Sequence, residues 1–427
     1  MTAIPQEDVQ HGRFVAFTYR AYAVYWASRF LATLAAQMIA VAVGWQIYDL
    51  TRDPLDLGII GLVQFVPLLL LVFIAGTTAD RFGRRNVMAA SVFAEVLCAV
   101  AILWFSWRGL TSPLPVFVAL AGFGVARAFL GPASQSLVVN LVPRQVFPNA
   151  VAWNSSAWQV ATIAGPVMGG LIYGVGANVA YLCAVALLVG ALLLVLMIPK
   201  PGETGRIERL TVSSLFEGIR YVRRQKVVLG ALSLDLFAVL LGGAVALLPV
   251  FARDVLETGP WGLGLLRAAP GIGAIITATW LAASPIRDHA GRILFIFVAL
   301  FGVFTAVFGL STITWVSVIA LLLIGATDAV SVYIRETVIQ LWTPDEVRGR
   351  VNAINMVFIS ASNELGDFRA GAAAAFIGAV PTVVIGGLGA VGVAGAWAWL
   401  FPQLRDVRYL DRIEIGNGSE ESVSRSA

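Results

Sequence analysis

Polar residues in this chain come in short bursts between long apolar runs. A membrane-crossing helix needs about 20 mostly apolar residues. Twelve runs meet that length, near 22–48, 57–79, 86–107, 114–139, 150–174, 178–198, 227–252, 261–283, 293–310, 313–340, 351–376 and 379–401. A polar stretch, Pro199–Lys226, separates the sixth run from the seventh. The pattern predicts an all-α polytopic membrane protein with twelve transmembrane helices in two six-helix halves, 21–198 and 227–401. A cytoplasmic linker, 199–226, joins them, and cytoplasmic tails, 1–20 and 402–427, flank them. Val212–Tyr221 in the linker reads as an amphipathic surface helix, and Gly416–Ala427 as a disordered Ser- and Glu-rich tail.

Composition agrees. The hydrophobic fraction is 59%, the charged fraction 13% and the mean hydropathy +0.84. Soluble domains carry roughly 25% charged residues, so this chain lacks the polar surface that a soluble protein of 427 residues needs. The net charge of +4 is spread over many short loops and gives no nucleic-acid signal. Cys98 and Cys183 lie in apolar runs and read as small buried hydrophobes. The two histidines, His11 and His289, fall in loops, which argues against a histidine-based zinc site or proton relay within the membrane. The first 20 residues lack the apolar core of a cleavable signal peptide.

Positive charge orients the spans. With both termini in the cytoplasm, only Arg52, Arg108 and Arg253 fall outside. Arg29, Arg127, Arg267, Arg335 and Arg369 lie within spans, and the remainder of the 29 Lys and Arg fall inside.

The chain also repeats itself. A shift of 201 residues aligns Gly124 with Gly325, Ala128 with Ala329, Pro143 with Pro344, Val146 with Val347, Ala152 with Ala353 and Asn154 with Asn355. A shift of 208 places Asp80, Gly83 and Arg84 on Asp288, Gly291 and Arg292. Two parallel copies of a six-helix unit follow, related by an axis along the membrane normal.

Between the second and third runs stands Gly76-Thr-Thr-Ala-Asp80-Arg81-Phe-Gly83-Arg84-Arg85, a short charged turn. It resembles the G-x-x-x-D-R-x-G-R-R signature between helices 2 and 3 of the major facilitator superfamily, with Thr78 where leucine is frequent. Pro344, Arg348, Gly349 and Arg350 form a turn similar to the P-x-x-x-R-G-R-V turn of that superfamily. Gly165-Pro166-Val-Met-Gly169-Gly170 resembles the fifth-helix motif of exporters, and Arg127-Ala-Phe-Leu-Gly131 the fourth-helix motif of drug:proton antiporters. The combined pattern, including Gln46–Thr51, is most similar to the branch that holds the enterobactin exporter and macrolide efflux proteins. The resemblance implies alternating access around a central cavity between the halves. It also implies that the Asp80 turn acts in conformational switching and that Arg127 tunes a nearby acid, with Glu95 a candidate.

Charges at bilayer depth cost about 2.5–3.5 kcal/mol each on insertion scales and survive facing a cavity or a partner. The repeat sets Arg127 against Asp328, and Arg29 against Asp235. A pairing of base in one half with acid in the other is therefore expected, and static packing within one half is the alternative. Asn363, Glu364, Asp367 and Arg369 give the eleventh span an unusually polar centre. Arg335 and Glu336 suit a gate or a snorkelling role, and Arg267 has no assigned role. Trp45, Gln46, Trp153, Asn154, Trp158 and Gln159 could line a cavity for a mid-sized amphipathic solute; interfacial placement is the alternative for the tryptophans.

The leading expectation is a proton-driven exporter of a small amphipathic organic solute, siderophore- or drug-like, acting as a monomer in the cytoplasmic membrane. A lipid translocator or facilitator on the same fold, and a non-transporting sensor, are the competing readings. No G-x-x-x-x-G-K-[ST] loop supports ATP-driven pumping. No enzyme site, metal site or cofactor is expected.

Overall fold

The computed structural model describes residues 12–199, 219–286 and 288–408. Its long helices are α1 (Arg20–Thr51), α2 (Pro54–Phe82), α3 (Arg84–Trp107), α4 (Leu114–Val138), α5 (Phe147–Val175), α6 (Ala177–Met197), α7 (Lys226–Gly242), α8 (Gly259–Ala283), α9 (Ala290–Leu310), α10 (Thr314–Trp342), α11 (Asp345–Ile377) and α12 (Ala379–Leu400). Each corresponds to one apolar run, and ten have both the length and the hydropathy to cross a membrane. The two more polar ones are α5 and α11. Most of the linker, 200–218, and the last residues, 409–427, lie outside the described part, as does most of the expected surface helix.

Local chemistry sets the ends of these helices. Asp53 caps α2 by accepting from the Leu55 amide (2.9 Å), and Pro54 fills the first position, where no amide donor is needed. Gly83, at φ +84°, turns the chain between α2 and α3. The segment before α1 docks on α5: Phe14 stacks on Trp153 at 5.0 Å, and Trp153 donates to the Arg13 carbonyl (2.9 Å). After α12, Arg405 donates to Asp406 (2.9 Å) and holds that carboxyl below its usual range.

The two halves pack alike. In the first, α1 packs on α5 and α6, α4 on α2 and α3, and α3 on α6. In the second, α7 packs on α11 and α12, α10 on α8 and α9, and α9 on α12. Each of these five pairs in the first half reappears six helices later in the second. The repeat extends to atomic contacts. Gly124 of α4 lies on the α2 backbone at Gln64, and its equivalent Gly325 of α10 lies on the α8 backbone at Pro270. The halves meet along two symmetry-related seams, α2 on α11 and α5 on α8.

The second half departs from regularity in its first helix. α7 ends at Gly242, and the chain continues through a 3-10 turn (Val245–Leu247), one α turn and a π turn (Phe251–Val255). Everything polar at this break has to be satisfied within the protein, because lipid offers no hydrogen bonds.

A side chain at Gly325 would put its Cβ 1.9 Å from the Pro270 carbonyl, whereas Gly392 has no heavy atom within 4 Å of that position. Gly325→Val should therefore destabilise the protein by about 1–3 kcal/mol and lower its melting temperature in detergent, while Gly392→Val leaves it unchanged.

Candidate transport site

The turn between α2 and α3 works first as a clamp on helix ends. Arg84 donates to the Ser136 carbonyl in the last turn of α4 (3.0 Å). Arg85 donates to the carbonyls of Val195 (3.4 Å) and Leu196 at the end of α6. Cations at helix C-termini satisfy unpaired carbonyls and suit the local dipole. Arg81 sits over the Phe82 ring. Gly76 and Asp80 are in the last turns of α2, and their side chains lie outside the described part of the structure. At the matching turn of the second half, Pro344 caps α11 and Arg348 donates to the Thr343 carbonyl (3.2 Å). Gly349 stands in open space, and Arg350 is half-buried.

The intramembrane charges are arranged differently from the expected pairing across the halves. Asp235 of α7 pairs with Arg335 of α10, in its own half, at 2.5 Å, and both side chains are nearly buried. Asp328 lies within electrostatic reach of that pair. A cleft of about 10 Å³, room for about one water, is lined by Asp235, Asp328 and Ser331. In the first half, Glu95 is 2% exposed, with Arg127 and Arg29 the cations acting on it. Arg127 donates to Gln64 of α2 at 3.5 Å. Asp235 and Asp328 are thus grouped with Arg335, and Glu95 with Arg127 and Arg29, each set within one half. Repeat arithmetic gives the depth of a residue but not the neighbouring helix it turns toward.

The polar centre of α11 serves the break in α7. Arg369 donates to the carbonyls of Leu240 (2.8 Å) and Leu241 (2.7 Å), which α7 leaves open where it ends. Asp367 accepts from the Ala246 amide beyond the break (3.3 Å). Asn363 bonds back to the Ile359 carbonyl (2.9 Å). Glu364 faces the other half, with Oε2 2.7 Å from where a Gly61 Cβ would stand.

The exporter motif forms a three-helix junction. Gly165 and Gly169 lie against α1 at Gln37 and Met38, while Gly170 approaches Pro260 and Gly264 of α8. The carbonyl of Pro166 also lies against Gly264. Small residues let backbones approach this closely in membranes.

The expected aromatic cavity is only partly formed. Gln46 is committed to Ser106 (2.9 Å) and Tyr181 (2.7 Å) within its own half. Trp153 of α5 is taken up by the N-terminal segment docked on it. Asn154 accepts from Tyr22 (3.3 Å). Trp158 is exposed and Gln159 half-buried on α5.

One group of residues was not anticipated. At the ends of α1 and of the broken helix 7, Asp49 pairs with Arg253, Arg52 pairs with Asp254 (3.0 Å), and Tyr48 donates to Asp254. Arg253 also lies over the Trp45 ring at 5.4 Å. These contacts latch the two halves at the face opposite the termini. The signal available in the sequence was the opposite charges at equivalent ends of two repeat-related helices.

Fold, seams and buried charges together define a transporter of the major facilitator class. The model of the transmembrane secretion effector family matches residues 11–423, and the chain belongs to that family. It is 25% identical to the enterobactin exporter of Shigella boydii serotype 18 over 382 residues, 88% of this chain and 86% of the exporter, and equally to that of Escherichia coli O81. In fold it resembles a bacterial homologue of the human lysosomal transporter Spinster in an inward-facing, unoccupied conformation. That likeness has a TM-score of 0.69 and 13% identity, over 93% of this chain and 98% of the other. A bacterial homologue of the iron transporter ferroportin, also inward-facing, matches with a TM-score of 0.67 and 16% identity, over 91% and 99%. The chain is therefore a multi-pass membrane transporter.

Partly exposed ion pairs contribute roughly 0.2–1 kcal/mol each. Asp254→Ala, which removes two latch contacts, should raise labelling of a cysteine at Leu57, buried in the seam, by an impermeant thiol reagent about two- to five-fold. A rate equal to wild type would show that the latch carries no closing energy. The background protein has Cys98 and Cys183 replaced.

Proposed function

We propose that this protein exports a small amphipathic organic solute, siderophore- or drug-like, across the cytoplasmic membrane by alternating access in exchange for protons. The termini lie in the cytoplasm in this reading, as the positive charge of the linker and short turns favours. The observation that carries it is the closure of both seams toward one face. Gly170 on Gly264, Gly58 on Phe368 and the Asp49–Arg253 latch all lie toward the ends of the helices away from the termini. With the termini inside, the state described is shut to the outside and suited to load solute from the cell.

Coupling to protons is supported by ionisable groups at membrane depth, costly unless functional. Arg29, Glu95, Arg127, Asp235 and Asp328 are the charges assigned to that role, and the Asp80 and Pro344–Arg350 turns to switching. The relatives that export enterobactin support an efflux direction and a solute of that chemical kind. One chain supplies both sides of each seam, so a monomer suffices, and no cofactor enters the scheme.

The test uses the purified protein in proteoliposomes with an internal pH dye. Enterobactin, a macrolide and a cationic dye are added one at a time against a pH gradient. At least one should move protons in the direction opposite to its own. Solute flux with no proton movement would replace antiport by facilitated transport or lipid translocation on the same fold.

A further inference from the structure

Three carboxyls at membrane depth, Glu95, Asp328 and Glu364, have no hydrogen bond or ion pair among the described residues. Two of them lie within their own half, Glu95 buried and Asp328 half-buried beside the small cleft. Glu364 alone stands on a seam. Its Oε2 packs against the backbone of Gly61 on α2, in the same stretch where Gly58 meets Phe368 and Gly371 meets Pro54 and Gly58. With the seam closed, this carboxyl is half-buried against that backbone.

The groups that face it can be named helix by helix. On α11 itself Asp367 lies one turn away, already accepting from Ala246. Arg127 of α4 acts on it from the other half, but is bonded to Gln64 and shared with Glu95. Arg267 of α8 acts on it from its own half and is shared with Asp367; the buried Nε of Arg267 has no hydrogen-bond partner. From α2 come only uncharged groups, Gly58, Gly61 and Gln64. Each cation in reach is divided between two acids, and neither forms a direct pair with Glu364. Drawing a carboxylate out of water under these conditions is less favourable than drawing out the neutral acid.

We propose that Glu364 is a proton-binding site of the α2–α11 seam, taking up a proton before the outer face closes around it and releasing it when that face is shut and the cell side is accessible. The inference rests on the proton-coupled reading above and names the residue that links proton occupancy to conformation. The ordered cycle follows from enclosure. With the outer face open, Glu364 is hydrated and ionised, and holds α2 and α11 apart by its need for water. A proton from the outside neutralises it and the seam closes. Departure of that proton to the cell side restores the charge and favours reopening once solute has loaded.

The experiment measures two quantities in proteoliposomes, for wild type, Glu364→Gln and Glu364→Asp. One is solute-driven proton flux. The other is outer labelling of a cysteine at Leu57 between pH 5.5 and 8, expressed at each pH as a ratio to the labelling of a cysteine at the exposed loop residue Thr111, which cancels the ionisation of the thiol itself. Wild-type labelling should fall several-fold as pH is lowered. Glu364→Gln, neutral at every pH, should label slowly throughout, lose its pH response and lose proton flux. Glu364→Asp should keep a pH response. The melting temperature of Glu364→Gln should be no lower than that of wild type, since the glutamine preserves the packing. A Glu364→Gln protein with wild-type proton flux and wild-type pH response would overturn the assignment and leave proton coupling intact. A wild type that carries solute with neither proton flux nor pH response would overturn both.

Discussion

Within the hydrocarbon layer each backbone amide, carbonyl and charge has to find its partner inside the protein. The rest of this structure follows from how that requirement is met where α7 breaks. A continuous helix would satisfy its own backbone. By ending at Gly242, α7 exposes the carbonyls of Leu240 and Leu241, and Arg369 of α11 covers both. Asp367 takes the Ala246 amide on the far side. The irregular segment that follows can then cross the mouth of the molecule and bring Arg253 and Asp254 to Asp49, Arg52 and Tyr48 of the other half. The charges of α11 that look anomalous in a membrane helix are the reason a broken helix is tolerated beside them.

The closed face is held by close backbone approach, by the latch, and by a buried apolar cluster that both halves share, with Val41, Trp45 and Leu57 packed among Leu247, Phe251 and Leu263. Close backbone approach through glycine supplies dispersion contact along both seams, and it is lost only when whole helices separate. The latch is made of pairs that are partly exposed, each contributing roughly 0.2–1 kcal/mol. In the proposed cycle this closure reverses when solute or proton affinities differ enough between the two states to move the equilibrium. Each half, by contrast, has its own buried core, with Phe123 and Tyr181 in one and Leu234 and Ile334 in the other. Motion between two rigid halves is what that distribution of packing favours.

Much of this was legible in the chain. Apolar run length gave all twelve helices, because hydrocarbon thickness sets that length directly. The Gly124–Gly325 equivalence gave the repeat, because each glycine meets a backbone that no side chain could approach. The pairing of charges was not legible. Asp235 and Arg29 share a depth, yet Asp235 turns to Arg335 on a neighbouring helix. Depth follows from counting residues, whereas the facing direction depends on helix rotation and on the path the chain takes beyond the Gly242-Gly243 pair. The same limit hid the latch. Asp49 and Arg253 lie at equivalent ends of repeat-related helices, but only the irregular path after Gly242 brings them together. Gln46 and Trp153 suited a cavity by residue type, and neighbouring hydrogen-bond partners claimed them instead.

The proposed transport cycle turns on one motion, the opening of the latched face as the halves rock. Spin labels on Thr111 and Thr312, exposed in loops of the two halves at that face, would report it in lipid. Distances between them, measured by pulsed electron resonance, should fall into two populations whose proportions change with pH and with added solute. The shorter population should correspond to the closed arrangement described above. A single distance, unchanged under every condition in which solute crosses the membrane, would contradict alternating access by this route.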